Sequence, residues 1–347
     1  MDALEKEGLY VGGISTLPVH TKDNSVHRTA QYVAINDAKK DLVLAMADMN
    51  IFSSPTPMSL HMMPVNPKWS VVDANWNPRM TRKIINRLKE WNSKVAYEPV
   101  SVPKSGGIFQ PHGPAPPDEQ LGLFPKHSID LATPNQLELA AMHTAAKKWE
   151  FFESQRWWEV IDSLGIPSSG ARDRFVAITN QKMTNEGLPL QTIQLLPFIP
   201  TILTKLGADG VLWTEILKPD DPRLTDPAHA QWILSRCSNG STEVGGVYMR
   251  LLPAVAVGED VVSVNGVGDT FLGVLIAGLA KGLELDEDLI DLAQQGAVMT
   301  LMSKESVSSQ LGELTSELDL LYRKAITKAL EAASTEVLQD MYRSGRS

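Results

Sequence analysis

Val264-Asn265-Gly266-Val267-Gly268-Asp269-Thr270-Phe271 is the stretch from which the rest of the chain is read. The β-prone residues 261–264 run into a turn carrying two glycines, and an apolar stretch with helical spacing, 269–281, opens at the aspartate. Glycines in such a turn let backbone amides converge without Cβ obstruction. Amides at a helix N-terminus also carry the positive end of the helix dipole, so an anion such as a transferring phosphoryl group suits the place. Asp269 stands where a carboxylate can take the proton of an attacking hydroxyl. A simpler alternative uses the same residues: a tight turn closed by an aspartate helix cap.

Working outward, strands and helices alternate. Residues 29–49 hold two β-prone runs joined by the polar turn Asp37-Ala38-Lys39-Lys40, a β-hairpin with apolar residues on both faces. A Pro/Ser/Met loop follows over 51–67. Then come a strand at 70–74, a helix at 79–91 and a strand starting at 94–97. After a Gly/Pro-rich surface insertion at 105–125 there is a long helix beyond residue 133. Strands at 199–204 and 211–216 flank a turn at 207–210. A polar insertion at 218–246 opens with Pro219, Pro222 and Pro227, which a helix interior would not tolerate. Helices at 286–303 and 314–342 complete the pattern. This alternation predicts an α/β fold with a mostly parallel sheet covered by helices, plus a small hairpin.

Composition narrows the function classes. The 347 residues are 43% hydrophobic and 21% charged, enough to bury a sizeable core, which excludes a fully disordered chain. A net charge of −9 without a run of Lys/Arg argues against nucleic acid and anionic membranes as partners. The longest apolar run, 271–280, falls short of the ~18 residues of a membrane span. The lone Cys237 has no intrachain disulfide partner, which suits a reducing, cytoplasmic setting.

The segment NGVGDTFLG resembles the C-terminal signature of the PfkB (ribokinase-like) sugar kinases. The resemblance implies that Asp269 is the catalytic base and that Gly266, Val267 and Gly268 form the anion hole beside Asn265. Where the family often shows Asp-Thr, this chain has Ser263 and Val264, so a monovalent cation beside the turn loses its usual carboxylate and stays an open alternative. Thr133-Pro134-Asn135-Gln136-Leu137-Glu138 is similar to the family's P-N-x-x-E segment, which implies nucleotide contact by Asn135 and magnesium organisation by Glu138. The alternative is a capping box. Leu203-Thr204-Lys205-Leu206-Gly207-Ala208-Asp209-Gly210 is similar to the T-L-G-x-x-G nucleotide turn, with Lys205, Gly207 and Gly210 as ATP contacts; an ordinary turn with a solvated lysine is the alternative.

Glu98-Pro99-Val100-Ser101-Val102-Pro103-Lys104 and the hairpin end Met46-Ala47-Asp48-Met49 look like the pseudouridine-kinase branch of that family. This implies a small-molecule acceptor, pseudouridine phosphorylated at its 5′ hydroxyl, with Ser101 and Lys104 reading a base or ribose. Ribose, fructose or adenosine are the alternative acceptors. The resemblance further implies one kinase domain over 1–347, made of a β lid (22–51), an α/β core (52–312) and a C-terminal amphipathic helix (313–347). The lid is also a candidate homodimer contact. Family members begin with an Asp-bearing strand and a Gly-Gly-x-x-x-Asn segment, which this sequence does not show. Gly12-Gly13 lacks the Asn, and residues 9–14 read as a strand leading into the lid. The expectation is therefore an N-terminally truncated member, with a non-catalytic nucleotide-binding protein as the alternative function.

Overall fold

The computed structural model describes residues 2–6, 8–12, 14, 28–37, 42–53, 66–111, 121–167, 169–258 and 261–344. They fall into two compact units. One comprises Met1–Thr204 and Leu212–Leu251, the other Lys205–Val211 and Leu252–Ser347.

The hairpin of the first unit is formed by β1 (Gln31–Asn36) and β2 (Leu42–Asp48), paired antiparallel from Gln31↔Asp48 to Asn36↔Leu42. The turn residues 38–41 lie outside the described set, as do 22–27 and most of the 51–67 loop. Tyr32, Val33, Val43 and Leu44 are all at least half exposed, so the two-sided apolar pattern is solvated on both faces.

The main sheet contains β3 (Trp69–Asp73), β4 (Lys94–Glu98), β5 (Leu131–Ala132), β6 (Thr201–Lys205), β7 (Val211–Leu217), β8 (Ile233–Arg236) and β9 (Gly246–Leu252). Its order is β3-β4-β5-β6-β7-β9-β8. β3 through β6 pair in parallel and β8 pairs antiparallel with β9. The fold class is the expected one, a mostly parallel sheet flanked by helices with a separate hairpin. Val95, Ala96 and Tyr97 on β4 are fully buried, as a parallel strand covered on both faces requires. The helix Pro78–Glu90 starts at the N-cap Asn77, whose side chain accepts from the Met80 N–H. It buries Ile84, Ile85 and Leu88.

In the second unit the helices Val267–Lys281 and Glu287–Leu301 pack together. Gly278 lets them close, since a Cβ there would stand 2.4 Å from Leu289 Cδ1. The long helix Thr315–Ser344 is tied by an ion pair between Lys281 and Asp319. Among the described residues no helix is long and apolar enough to cross a membrane.

Three expectations are corrected. Residues 261–264 form no strand, because the N–H groups of Val262 and Ser263 both donate to the Leu301 carbonyl, at 3.0 and 3.1 Å, instead of entering a ladder. Residues 9–14 form no strand where they are described; turn bonds such as Ile14 N–H to the Val11 carbonyl (2.9 Å) occupy the segment. The insertion at 105–125 is not all surface. Ser105 to Phe109 are buried because Gly106 rides directly on the Gln136–Lys148 helix, where a Cβ would meet Ala145 Cβ at 2.6 Å. Residues 112–120 lie outside the described set.

Candidate active site

The glycine turn lies in the second unit. Gly266 takes φ +74°, in the left-handed region, and serves as N-cap of the Val267–Lys281 helix without any side-chain cap. A side chain there is impossible without rebuilding, since a Cβ would lie 1.7 Å from the Ser306 carbonyl oxygen. The helix therefore begins two residues before Asp269, which stands in its first turn, exposed and taking no part in capping. Asn265 donates its N–H to Ser263 Oγ at 3.2 Å, closing the entry to the turn. Behind the turn, buried Thr270 pairs with Thr300 (2.8 Å between hydroxyls), and Thr300 accepts from the Ser308 N–H (3.1 Å). The helix start is thus tied through Thr270 and Thr300 to Ser308, and no side chain caps its first amides.

Lys205 comes to the same place. The nearest atom to a Cβ built on Gly268 is Lys205 Nζ, at 2.9 Å. An ammonium group thus lies over the first helical turn, adding a full positive charge to the partial charge of the amides. Gly207 opens the short 3-10 turn Gly207–Asp209, and Gly210 closes it by accepting the Leu206 N–H at 2.8 Å. The structure brings Lys205, Gly207, Gly210, Asn265, Gly266, Val267, Gly268 and Asp269 into one unit. The uncapped helix N-terminus and the lysine ammonium both attract an anion, and Asp269 adds an exposed carboxylate to the same turn.

In the first unit, Asn135 and Glu138 form a complete capping box. The Glu138 N–H donates to Asn135 Oδ1 (2.9 Å) and the Asn135 N–H donates to Glu138 Oε2 (2.8 Å). Glu138 is buried. Among the described residues no group of three His, Cys, Asp or Glu side chains is placed to hold a metal ion.

The Glu98–Lys104 segment leaves the end of β4. Glu98 is buried and accepts the Thr133 hydroxyl at 2.7 Å. Val100 sits at φ +65°, a left-handed position that costs a β-branched residue about 1–3 kcal/mol and has to be held by its surroundings. Ser101 is the N-cap of the four-residue helix Val102–Ser105 and makes no side-chain cap. Lys104 points elsewhere, donating from Nζ to Asn75 Oδ1 at 2.6 Å. It lines a cleft of about 210 Å³ with Ala74, Asn75, Trp76, Tyr97 and Gln110, whereas Ser101 is not in the lining. Tyr97 is held neutral: burial first, then the carboxylates of Glu98, Asp73 and Glu138, push its hydroxyl far above the usual range. It donates instead to the Ser105 carbonyl at 3.2 Å. Asp73, Asn75, Trp76 and Gln110 carry no sequence motif, and only the end-to-end alignment of β3 and β4 brings them to Lys104.

The mostly parallel sheet, its flanking helices and the separate hairpin are the fold class that the sequence implied. One relative is a pseudouridine-metabolizing bifunctional protein of Schizosaccharomyces pombe, 32% identical over 295 residues, 84% of this chain and 36% of that one. The chain spans little more than a third of that relative's length. No protein-family model matches the sequence. Among solved structures, ribokinase of Cryptococcus neoformans var. grubii in complex with ADP gives a TM-score of 0.48 at 15% identity, covering 85% of this chain and 71% of that one. Arabidopsis thaliana ribokinase complexed with ribose and ATP gives 0.47 at 14%, covering 84% and 69%.

Proposed function

We propose that this chain is an ATP-dependent phosphotransferase that acts on a sugar or nucleoside hydroxyl, with the 5′ hydroxyl of pseudouridine as its favoured acceptor. The observation that carries the reading is the glycine turn: an uncapped helix N-terminus, the Lys205 ammonium beside Gly268, and an exposed carboxylate at Asp269. The amides of Val267 and Gly268 and the Lys205 ammonium bind the anion, and Asp269 accepts the acceptor's proton. The nucleotide supplies the phosphoryl group with magnesium as its counter-ion, and the resemblance assigns Asn135 to the nucleotide and Glu138, whose cap bond uses Oε2 alone, to the magnesium. The pseudouridine acceptor is supported by the relative named above and by the Glu98–Lys104 segment. The solvated apolar faces of the hairpin support its roles as lid and as contact between two copies. The absence of a membrane-spanning helix among the described residues fits action on small molecules in the cytoplasm.

The test is an acceptor panel. Pseudouridine, ribose, fructose and adenosine are each incubated with the protein, ATP and magnesium, and phosphorylated product is measured. Pseudouridine 5′-phosphate as the fastest product supports the full reading. Faster transfer to another acceptor overturns the acceptor, and no transfer to any of the four overturns the kinase.

A further inference from the structure

We infer that Thr300 is a positioning residue for the proposed transfer: its buried hydroxyl fixes the rotation of the first turn of the Val267–Lys281 helix, and so the direction in which that turn presents Asp269 and the amides of Val267 and Gly268. This rests on the kinase reading and deepens it, since it gives a part in the reaction to a side chain outside the glycine turn.

Apolar contacts hold two helices together without fixing how one rolls on the other, because they are not directional. The middle of the pair Val267–Lys281 and Glu287–Leu301 is of that kind. Leu289 lies against Gly278 and Val274 against Gly296, each at 2.7 Å or less from the place a Cβ would take. At the first turn the contact is polar and directional. Thr270 and Thr300, only 4% and 0% exposed, bring their hydroxyls to 2.8 Å. Thr300 Oγ1 also accepts the Ser308 N–H at 3.1 Å, which leaves its proton and one lone pair to meet Thr270. Whichever hydroxyl donates, the bond sets a distance and an angle.

Thr300 opens a stretch of chain that touches the glycine turn at several points. The Leu301 carbonyl takes the N–H groups of Val262 and Ser263, and the Ser306 carbonyl stands against Gly266. Backbone groups thus hold the entry and the bend, while the Thr300 hydroxyl holds the helix that follows. Its own anchor is fixed in turn, since Ser308 is buried and its Oγ accepts the Gln310 N–H at 3.2 Å. Asp269 directly precedes Thr270, and successive helical residues lie about 100° apart around the axis. A roll of the turn at Thr270 therefore carries the Asp269 carboxylate with it. Misplacing a reacting group by about 1 Å can cost roughly 10²-fold in rate.

The experiment compares the full wild-type chain with Thr300→Val, Thr300→Ser, Thr270→Val and the double valine variant. Turnover and KM for ATP are measured with magnesium and saturating pseudouridine, and the amide NMR signals of Val267, Gly268 and Asp269 are recorded without ligand. Each single valine variant is expected to lower kcat by about 10–10²-fold, with KM for ATP changed by less than about threefold. The double variant is expected to be no slower than the slower single one, because both substitutions remove the same bond. Thr300→Ser keeps the hydroxyl, so its kcat should stay within about threefold of wild type and its three amide signals in place. The valine variants should shift those signals. Thr300→Val also strips the Ser308 N–H of its acceptor; if that variant does not fold, Thr270→Val, which spares the Ser308 bond, decides. A kcat within about threefold of wild type in the folded valine variants overturns the inference, as does Thr300→Ser as slow as Thr300→Val with a wild-type melting midpoint. Unshifted amide signals in the valine variants overturn it whether or not the protein turns over. The kinase reading fails separately, when the wild type phosphorylates no acceptor while the valine variants still shift the three signals.

Discussion

Two segments of this chain carry sequence patterns associated with nucleotide binding, and their conformations are opposite. At Gly266–Asp269 the helix N-terminus is left open: the N-cap is a glycine, no side chain returns to the amides, and Asp269 is exposed. At Asn135–Glu138 the helix N-terminus is closed by its own side chains, at 2.8 and 2.9 Å, and Glu138 is buried. The difference lies in what supplies the donors. A glycine turn that works through backbone amides keeps its chemistry facing solvent, whereas an Asn-x-x-Glu pair has a partner within its own turn and takes it. An open terminus is a place for a ligand. A closed one is first a place where the fold is held.

The largest effect is expected from breaking the open segment at its backbone. Gly266→Ala places a side chain at φ +74° and against the Ser306 carbonyl, so unfolding by denaturant is expected to show a loss of at least about 2–3 kcal/mol. An unchanged midpoint would show that the left-handed turn is not required.

A second prediction concerns the Asp130 brace that joins Lys89, His127 and β4. Burial alone would raise the Asp130 carboxyl, but the hydrogen bonds from His127, Lys89 and the Val95 N–H outweigh it and hold the group below its ordinary value. Its contribution to stability is therefore present above the unfolded value of 3.8 and is lost as pH falls through the lower folded value. Asp130→Asn is expected to cost about 1.5–3 kcal/mol at neutral pH, the range for hydrogen bonds to a charged group. The gap to wild type should close in acid below that window. A pH-independent gap in thermal unfolding scans would contradict this assignment.

Glu138→Gln sharpens the comparison itself. If the closed segment is a cap, stability falls by about 0.5–2 kcal/mol while affinity for the magnesium–ATP complex changes less than threefold. A tenfold loss of affinity with stability intact would mean that the two segments are alike after all. The smallest effect is expected at Thr204 in the first unit. Thr204 is fully buried and its hydroxyl has no partner among the described residues, so Thr204→Val is expected to be neutral or to stabilise by up to about 1 kcal/mol. A loss above that size in denaturant unfolding would reveal a hydrogen bond made by this hydroxyl.

Much of the architecture was legible because periodicity reports burial. The strand at 70–74 and the helix at 79–91 lie within one residue of β3 and Pro78–Glu90 at each end, and the hairpin is where its alternating runs placed it. Errors arose where local pattern and tertiary docking disagree. Val261 to Val264 have strand propensity, yet the N–H groups of Val262 and Ser263 bond the end of the Glu287–Leu301 helix. Gly106 and Gly107 read as loop punctuation, whereas Gly106 permits close approach to Ala145. The turn was legible through its glycines, but the helix start was misplaced, since a left-handed Gly266 makes Val267 the first helical residue. The Asp73–Asn75–Lys104 relay, in which Asp73 accepts from Asn75 and Asn75 from Lys104, was invisible, because its last two members are 29 positions apart and meet only across parallel strands.

The proposed phosphoryl transfer at the open turn depends on Asp269 as its base. The most direct measurement compares the turnover of wild type and Asp269→Asn with saturating ATP, magnesium and pseudouridine, with nucleotide affinity titrated in parallel. Removal of a general base predicts a fall in kcat of about 10²–10⁴-fold at unchanged nucleotide affinity. A fall of less than about tenfold, below the range for a general base, or a wild type without turnover, would contradict it.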